Sequence, residues 1–158
     1  MYVIVTGSRD LTDPSVPEIC LNLLYSWALA ADESLVIVHG AARGADKICR
    51  DWAEWSRLRG DRVTQIPYPA AWNLFGNAAG PIRNRRMWTE HWHQVDLCLA
   101  FPAPDSIGTI DCMAVAREYG CPIWSNPAGQ PMTRPPAARL IPAHMVGVAT
   151  NVPPATTL

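Results

Sequence analysis

Four short stretches of the chain combine glycine, arginine and small polar residues in a way that suits anion recognition. They are Gly7-Ser8-Arg9, HGAARGAD at 39–46, GPIRN at 80–84 and Gly108-Thr109-Ile110-Asp111. Glycine lets backbone N–H groups approach a charged ligand, a helix start adds positive partial charge, and arginine adds a bidentate fork of donors. Phosphate is the group this combination fits best. Gly7, Ser8, Arg9, Gly40, Arg43, Gly44, Gly80, Arg83, Asn84, Gly108 and Thr109 are therefore candidate ligand contacts. Asp46 and Asp111 are the carboxylates nearest to them, able to accept from ribose hydroxyls, and Asp111 is also the candidate catalytic carboxylate. Any one glycine-flanked turn is what every strand-to-helix reversal needs. Recurrence in four loops points to a site.

The elements that must carry these loops are legible as an alternation. Tyr2 to Thr6, Leu35 to Val38, Arg62 to Ile66, Val95 to Phe101 and Pro122 to Trp124 are apolar runs that read as strands, the second and fourth dense enough to be buried on both faces. Between them, Ser15-x-x-Glu18 has capping-box spacing and opens a helix from about Val16 to Ala31, with Ile19, Cys20, Leu23, Leu24 and Trp27 as its apolar face. A second helix runs from Ala45 to Arg59, stopped by Gly60, with Ile48, Trp52, Ala53 and Trp55 turned toward the sheet or its margin. Pro67 to Gly80 reads as one long loop, held out of helix by two prolines and carrying Tyr68 and Trp72 to cover a base or sugar, or simply to plug the loop onto the body. Pro81 then suits a first helical position, placing Arg83 and Asn84 in the first turn, while Arg85 and Arg86 form a solvated face. A last helix runs from Gly108 to Tyr119, ended by Gly120. Right-handed crossovers would set five strands in one Rossmann-like open parallel α/β sheet flanked by helices, with all the Gly-rich loops at its carboxyl edge, where ligands bind in such folds.

Composition bounds the alternatives. A chain of 158 residues suggests one ordered domain, over residues 1–125, followed by an irregular proline-rich tail over 126–158. The net charge of −1 supplies no global basic field of the kind nonspecific DNA binders show, so any anion site must be local. Five cysteines, odd in number and without CxxC spacing, read as reduced core thiols. A strand beginning at residue 2 leaves no room for a signal peptide, and no apolar run is long enough to span a bilayer, so a cytoplasmic protein without a membrane partner is expected. His91-x-His93 with Asp96 falls short as a metal site, because a helix splays residues two apart and no further ligand completes the set. No cofactor is expected. A Mg²⁺ ion bridging a phosphate to Asp46 or Asp111 is compatible with the sequence, but no pattern requires it.

Taken in order, Gly7-Ser8-Arg9, HGAARGAD at 39–46, Tyr68-Pro69-Ala70 with Trp72, AGPIRNRRM at 79–87, LAFP at 99–102 and GTIDCM at 108–113 resemble the YspA-like, cpYpsA-related branch of the SLOG superfamily. The resemblance spans residues 2–124. It implies a Rossmann-like domain that binds a nucleotide or nucleotide-derived ligand through the loop residues named above, as a sensor or processing domain. More distant relatives are the LOG phosphoribohydrolases and the DprA DNA-processing proteins. They imply two alternatives, N-glycosidic hydrolysis of a nucleoside 5′-monophosphate and single-stranded DNA binding. LOG enzymes carry PGGxGTxxE with a catalytic glutamate. Counted from Gly108-Thr109, that place is Cys112, Asp111 stands one position early, and Pro102 to Ile107 lacks the paired glycines. The sequence leaves open which nucleotide binds, whether it is turned over, and whether the chain forms a homo-oligomer.

Overall fold

A computed structural model of the chain describes residues 1–126, and the proline-rich stretch beyond lies outside the described residues. Five parallel strands, β1 (Tyr2–Gly7), β2 (Leu35–His39), β3 (Val63–Pro67), β4 (Val95–Phe101) and β5 (Ile123–Ser125), form one sheet in the order β3-β2-β1-β4-β5. The helices are α1 (Ser15–Ala30), α2 (Ala45–Leu58), a single turn α3 (Trp72–Phe75), α4 (Ala79–His91) and α5 (Ile107–Glu118), with a 3₁₀ turn at Gly76–Ala78. The Rossmann-like α/β architecture expected from the alternation is the one found.

The period-2 geometry of a strand sorts the core into two layers. Val3, Val5, Leu35, Ile37, Leu97, Leu99 and Phe101 point to one face, where Cys20, Leu21, Leu24, Trp27 and Ala28 of α1 and Ala45, Cys49, Trp52 and Ala53 of α2 cover them. Ile4, Val38 and Cys98 point to the other, under Met87 and Trp88 of α4 and Cys112, Val115 and Ala116 of α5. Because helices cover both sides, Val3 to Val5, Leu35 to Val38 and Leu97 to Phe101 are unbroken apolar runs. No disulfide joins the five cysteines, all of which lie among the described residues, and four are fully buried.

Several local expectations need correction. The capping box at Ser15 does not form: Ser15 donates both its N–H (2.9 Å) and its hydroxyl (2.6 Å) to Asp13 Oδ1, and α1 starts after Pro14 with no side-chain cap. Its buried face is rotated toward Pro17, Leu21 and Ala28, leaving Ile19 exposed. Trp52 packs inward and donates to Asn22 Oδ1 at 3.1 Å, whereas Trp55 is 66% exposed and does not reach the sheet. The stretch from Pro67 to Gly80 is not a plain loop, since α3 and the 3₁₀ turn fill it. As a result α4 begins at Ala79, Pro81 is its third residue, and Arg83 and Asn84 fall in the second turn rather than the first. Arg85 and Arg86 are solvated as expected, paired with Glu118 and Glu90. No helix among the described residues is long and apolar enough to cross a membrane.

Candidate functional site

The strand order reverses between β1 and β4, so the loops leaving these two neighbours diverge and open a crevice at the carboxyl edge. A cleft of about 390 Å³ lies there. Of the residues singled out from sequence, Gly7, Ser8, Arg9, Asp46, Trp72, Gly80, Arg83, Asn84, Gly108, Thr109 and Asp111 all line it. Gly40, Arg43 and Gly44 do not. Gly40 and Arg43 line an adjoining cleft of about 610 Å³, which shares Arg9, Ala42, Trp72 and Arg83 with the first.

Close approach at the bottom of the site explains three of the glycines. A Cβ at Gly7 would stand 2.4 Å from the Ala45 Cβ, and one at Gly44 would stand 2.2 Å from the Ser8 carbonyl oxygen. Gly44 also has a φ of +73°, in the region that favours glycine. These absences of side chain let the Ala45 N–H donate to the Ser8 carbonyl at 3.1 Å, joining the first loop to the start of α2. Gly40 serves Arg83 instead. A Cβ there would lie 1.4 Å from Arg83 Nη1, which donates to the Gly40 carbonyl.

Arg83 is consequently spent largely on its own protein. Nη1 also reaches the Tyr68 carbonyl at 3.4 Å and lies 3.8 Å from Asp46 Oδ2, while Nε donates to Asn84 Oδ1 at 3.0 Å. Asn84, buried in α4, passes the connection on by donating from Nδ2 to Asp111 Oδ2 at 2.8 Å and to the Gly108 carbonyl at 3.0 Å. The floor of the cleft is thus one chain of contacts, from Asp46 through Arg83 and Asn84 to Asp111. Burial pushes the Asp46 carboxyl above its ordinary range, opposed by Arg83 and by the Ala42 N–H that donates to it at 3.2 Å. Burial likewise lowers Arg83, opposed by Asp46, and the nearby Arg9 guanidinium lowers it further. Two cations therefore face one cleft.

The rim differs. Arg9 is exposed, and its guanidinium lies over the Trp72 ring at 4.8 Å from the centroid. Arg43 pairs with Asp10 at 2.9 Å in open solvent. Next to it, Ala41 holds a φ of +53° and donates its N–H to His39 Nδ1 at 3.1 Å. That bond leaves Nε2 of His39 as the protonated nitrogen, donating to Gln65 Oε1 at 2.8 Å. Across the cleft, Ser106 Oγ locks the loop after β4 by accepting from the Ala103 N–H and donating to the Ala103 carbonyl. Nothing stands within 4 Å of where a Gly108 side chain would be, so this helix start is open to the cleft.

Sequence reasoning passed over Asp10, Asn77, Asp105 and Ser106, all of which line the cleft. Asp10 directly follows the first loop and Asp105-Ser106 directly precede the last helix, so loop position alone was the signal available. Cys112, at the place of the LOG glutamate, is fully buried, takes the Trp88 indole N–H at 3.4 Å, and is not among the cleft residues. The supposed metal residues are engaged elsewhere: Asp96 accepts from the Tyr2 N–H, His91 bonds Tyr68 Oη, and His93 contacts Gln94.

A five-stranded parallel sheet with a crevice at its switch point, floored by arginine and carboxylate and edged by glycine turns, defines a Rossmann-like domain of the SLOG type. Comparison with known proteins agrees. The chain belongs to the YspA, cpYpsA-related SLOG family, whose model matches residues 1–75. It is 39% identical over 127 residues to the Gene 61 protein of Mycobacterium phage D29, an alignment covering 77% of this chain and 92% of that one. Among solved structures it is similar to DNA processing protein A (DprA) of Streptococcus pneumoniae, with a TM-score of 0.53 and 18% identity over 78% of this chain and 49% of the other. It is also similar to DNA processing protein A of Helicobacter pylori, with a TM-score of 0.51 and 16% identity over 85% of this chain and 68% of the other. The chain therefore spans about half the length of the S. pneumoniae protein. At these identities the structural likeness speaks for the fold alone.

Proposed function

We propose that the cleft binds a nucleotide or nucleotide-derived phosphorylated ligand, as the recognition site of a sensor or processing domain. The observation that carries this reading is that Arg9 and Arg83 line the same crevice at the switch point. An anion between two guanidiniums relieves their repulsion and gains charge-assisted hydrogen bonds from both. The helix start at Gly108 faces the same space, and Ala41 holds a backbone strain of the kind that gathers at ligand sites. Asp46 and Asp111 are placed to accept from sugar hydroxyls. Native mass spectrometry of the purified chain tests the proposal by looking for a retained nucleotide, followed by calorimetry with a panel of nucleoside monophosphates. Failure of the whole panel to bind, with nothing retained, ends it.

Hydrolysis of a nucleoside 5′-monophosphate is the second reading, favoured by the buried Asp46 and by the Asn84 contact that orients Asp111. A carboxylate would take a proton from water as its oxygen attacks C1′, and the N-glycosidic bond would break to give free base and ribose 5-phosphate. Release of base that stops in Asp111→Asn supports it, and retention of the ligand intact by the unaltered chain opposes it. The H. pylori neighbour is described as binding single-stranded DNA. For this chain that remains the third choice, since Asp10, Asp46, Asp105 and Asp111 share the cleft with only two arginines, Arg9 and Arg83, and an extended basic groove is what such binding uses. It predicts affinity that falls steeply with salt.

A further inference from the structure

Resting on the nucleotide reading, we infer that the adjoining cleft is the base subsite, and that the ligand's base replaces the Arg9 guanidinium on Trp72 while Arg9 turns to the phosphate. The two clefts share Arg9, Trp72 and Arg83, so the Arg9–Trp72 stack stands as the partition between them. A guanidinium over an indole and a nucleobase over an indole are alternative occupants of one π-face: both are flat, and the base covers more of it. The exchange therefore costs Trp72 no contact and frees a bidentate donor for the phosphate.

The segment that carries Trp72 is suited to such an exchange. Every residue from 72 to 78 is exposed, neither α3 nor the 3₁₀ turn has a buried residue, and Trp72 itself is 45% exposed with its Cη2 lying over Gly80. Few buried contacts hold it, so small shifts of the indole are inexpensive. The adjoining cleft is otherwise lined by Gly40, Ala41, Ala42, Pro69 and Ala70, a flat small-residue wall wide enough for a ring, with Arg43 at its margin. A nucleoside monophosphate laid across the partition thus has its phosphate between Arg9 and Arg83 and its base against Trp72.

Calorimetry with the four nucleoside 5′-monophosphates and with ribose 5-phosphate, which lacks a base, tests this. Trp72→Ala is expected to weaken the tightest-binding monophosphate about ten-fold, the effect of losing one base stack, and to leave ribose 5-phosphate within about two-fold. Trp72→Phe should restore most of the loss. Arg9→Ala should weaken both probes, because in the complex the guanidinium is on the phosphate. Equal loss of both probes in Trp72→Ala, or no loss of either, overturns the base subsite while leaving phosphate binding intact. An unchanged ribose 5-phosphate affinity in Arg9→Ala overturns the exchange. If no probe binds the unaltered chain at all, the nucleotide reading fails and the subsite fails with it.

Discussion

The floor and the rim of the cleft are both built from arginine and aspartate, yet they behave as different materials. On the floor, Arg83 and Asp46 are buried 3.8 Å apart, with Arg83 also bonded to Gly40, Tyr68 and Asn84. On the rim, Arg43 and Asp10 sit 2.9 Å apart, a shorter distance, with both side chains more than 70% exposed. Distance alone would rank the rim pair as the stronger. Burial reverses that order, because water screens the rim pair while the floor pair has lost its hydration and depends on its partners. Arginine around this cleft is therefore not one category: Arg83 holds loops together, Arg9 lies over Trp72, and Arg43 is paired in open solvent.

The sharpest way to break this contrast is to remove one floor partner. Arg83→Met is expected to cost about 3–5 kcal/mol in urea unfolding at pH 7, the usual penalty for leaving a buried charge unpaired. Adding Asp46→Asn should recover much of it. The pH dependence has a definite sign. A carboxyl whose folded pKa is raised takes up a proton on folding, so the native state loses ground as pH rises from the unfolded value of about 3.8 through the folded one, and regains it on acidification. Losing Arg83 raises Asp46 further, so the Arg83→Met deficit should narrow as pH is lowered from 7 toward 5. A deficit of constant size across that range contradicts the account of the floor.

Gly44→Ala comes next. Its Cβ meets backbone atoms of Ser8 and Arg9 at 2.2–2.7 Å with no flexible side chain to give way, and φ is +73°. A loss of at least about 2 kcal/mol in unfolding is expected, from left-handed strain and overpacking together. Trp72→Ala should lower stability by no more than about 1 kcal/mol, the scale of an exposed cation–π contact, even while it impairs nucleotide binding. Smallest of all, Arg43→Ala should stay within about 0.5 kcal/mol in stability, as surface pairs do. A large binding defect in that variant would mean that Arg43, rather than Arg9 with Arg83, carries recognition.

Much of the architecture was legible because parallel strands covered on both faces must be continuously apolar, and Leu35 to Val38 and Leu97 to Phe101 are. Most of the cleft was legible too, since glycine and arginine recur where strands end. What escaped depends on three-dimensional neighbours. The carboxylate of Asp13 took Ser15, so the capping box had nothing to cap. The helical turn at Trp72 follows two prolines that mark a loop locally but do not say how soon it closes. Nothing in the one-dimensional pattern distinguishes Arg43 from Arg83 either. Only the proximity of Gly40 to one and of solvent to the other tells which guanidinium is committed.

That proximity has a consequence for how such chains diverge. A methyl group at position 40 would claim volume that the Arg83 guanidinium now fills, so that flexible side chain would have to turn aside, a coupling between two positions 43 residues apart. The displaced guanidinium would loosen its hold on Asp46, which lies 3.8 Å from the same Nη1. A change at a single silent-looking glycine would thus be registered two contacts away, at the acid in the floor.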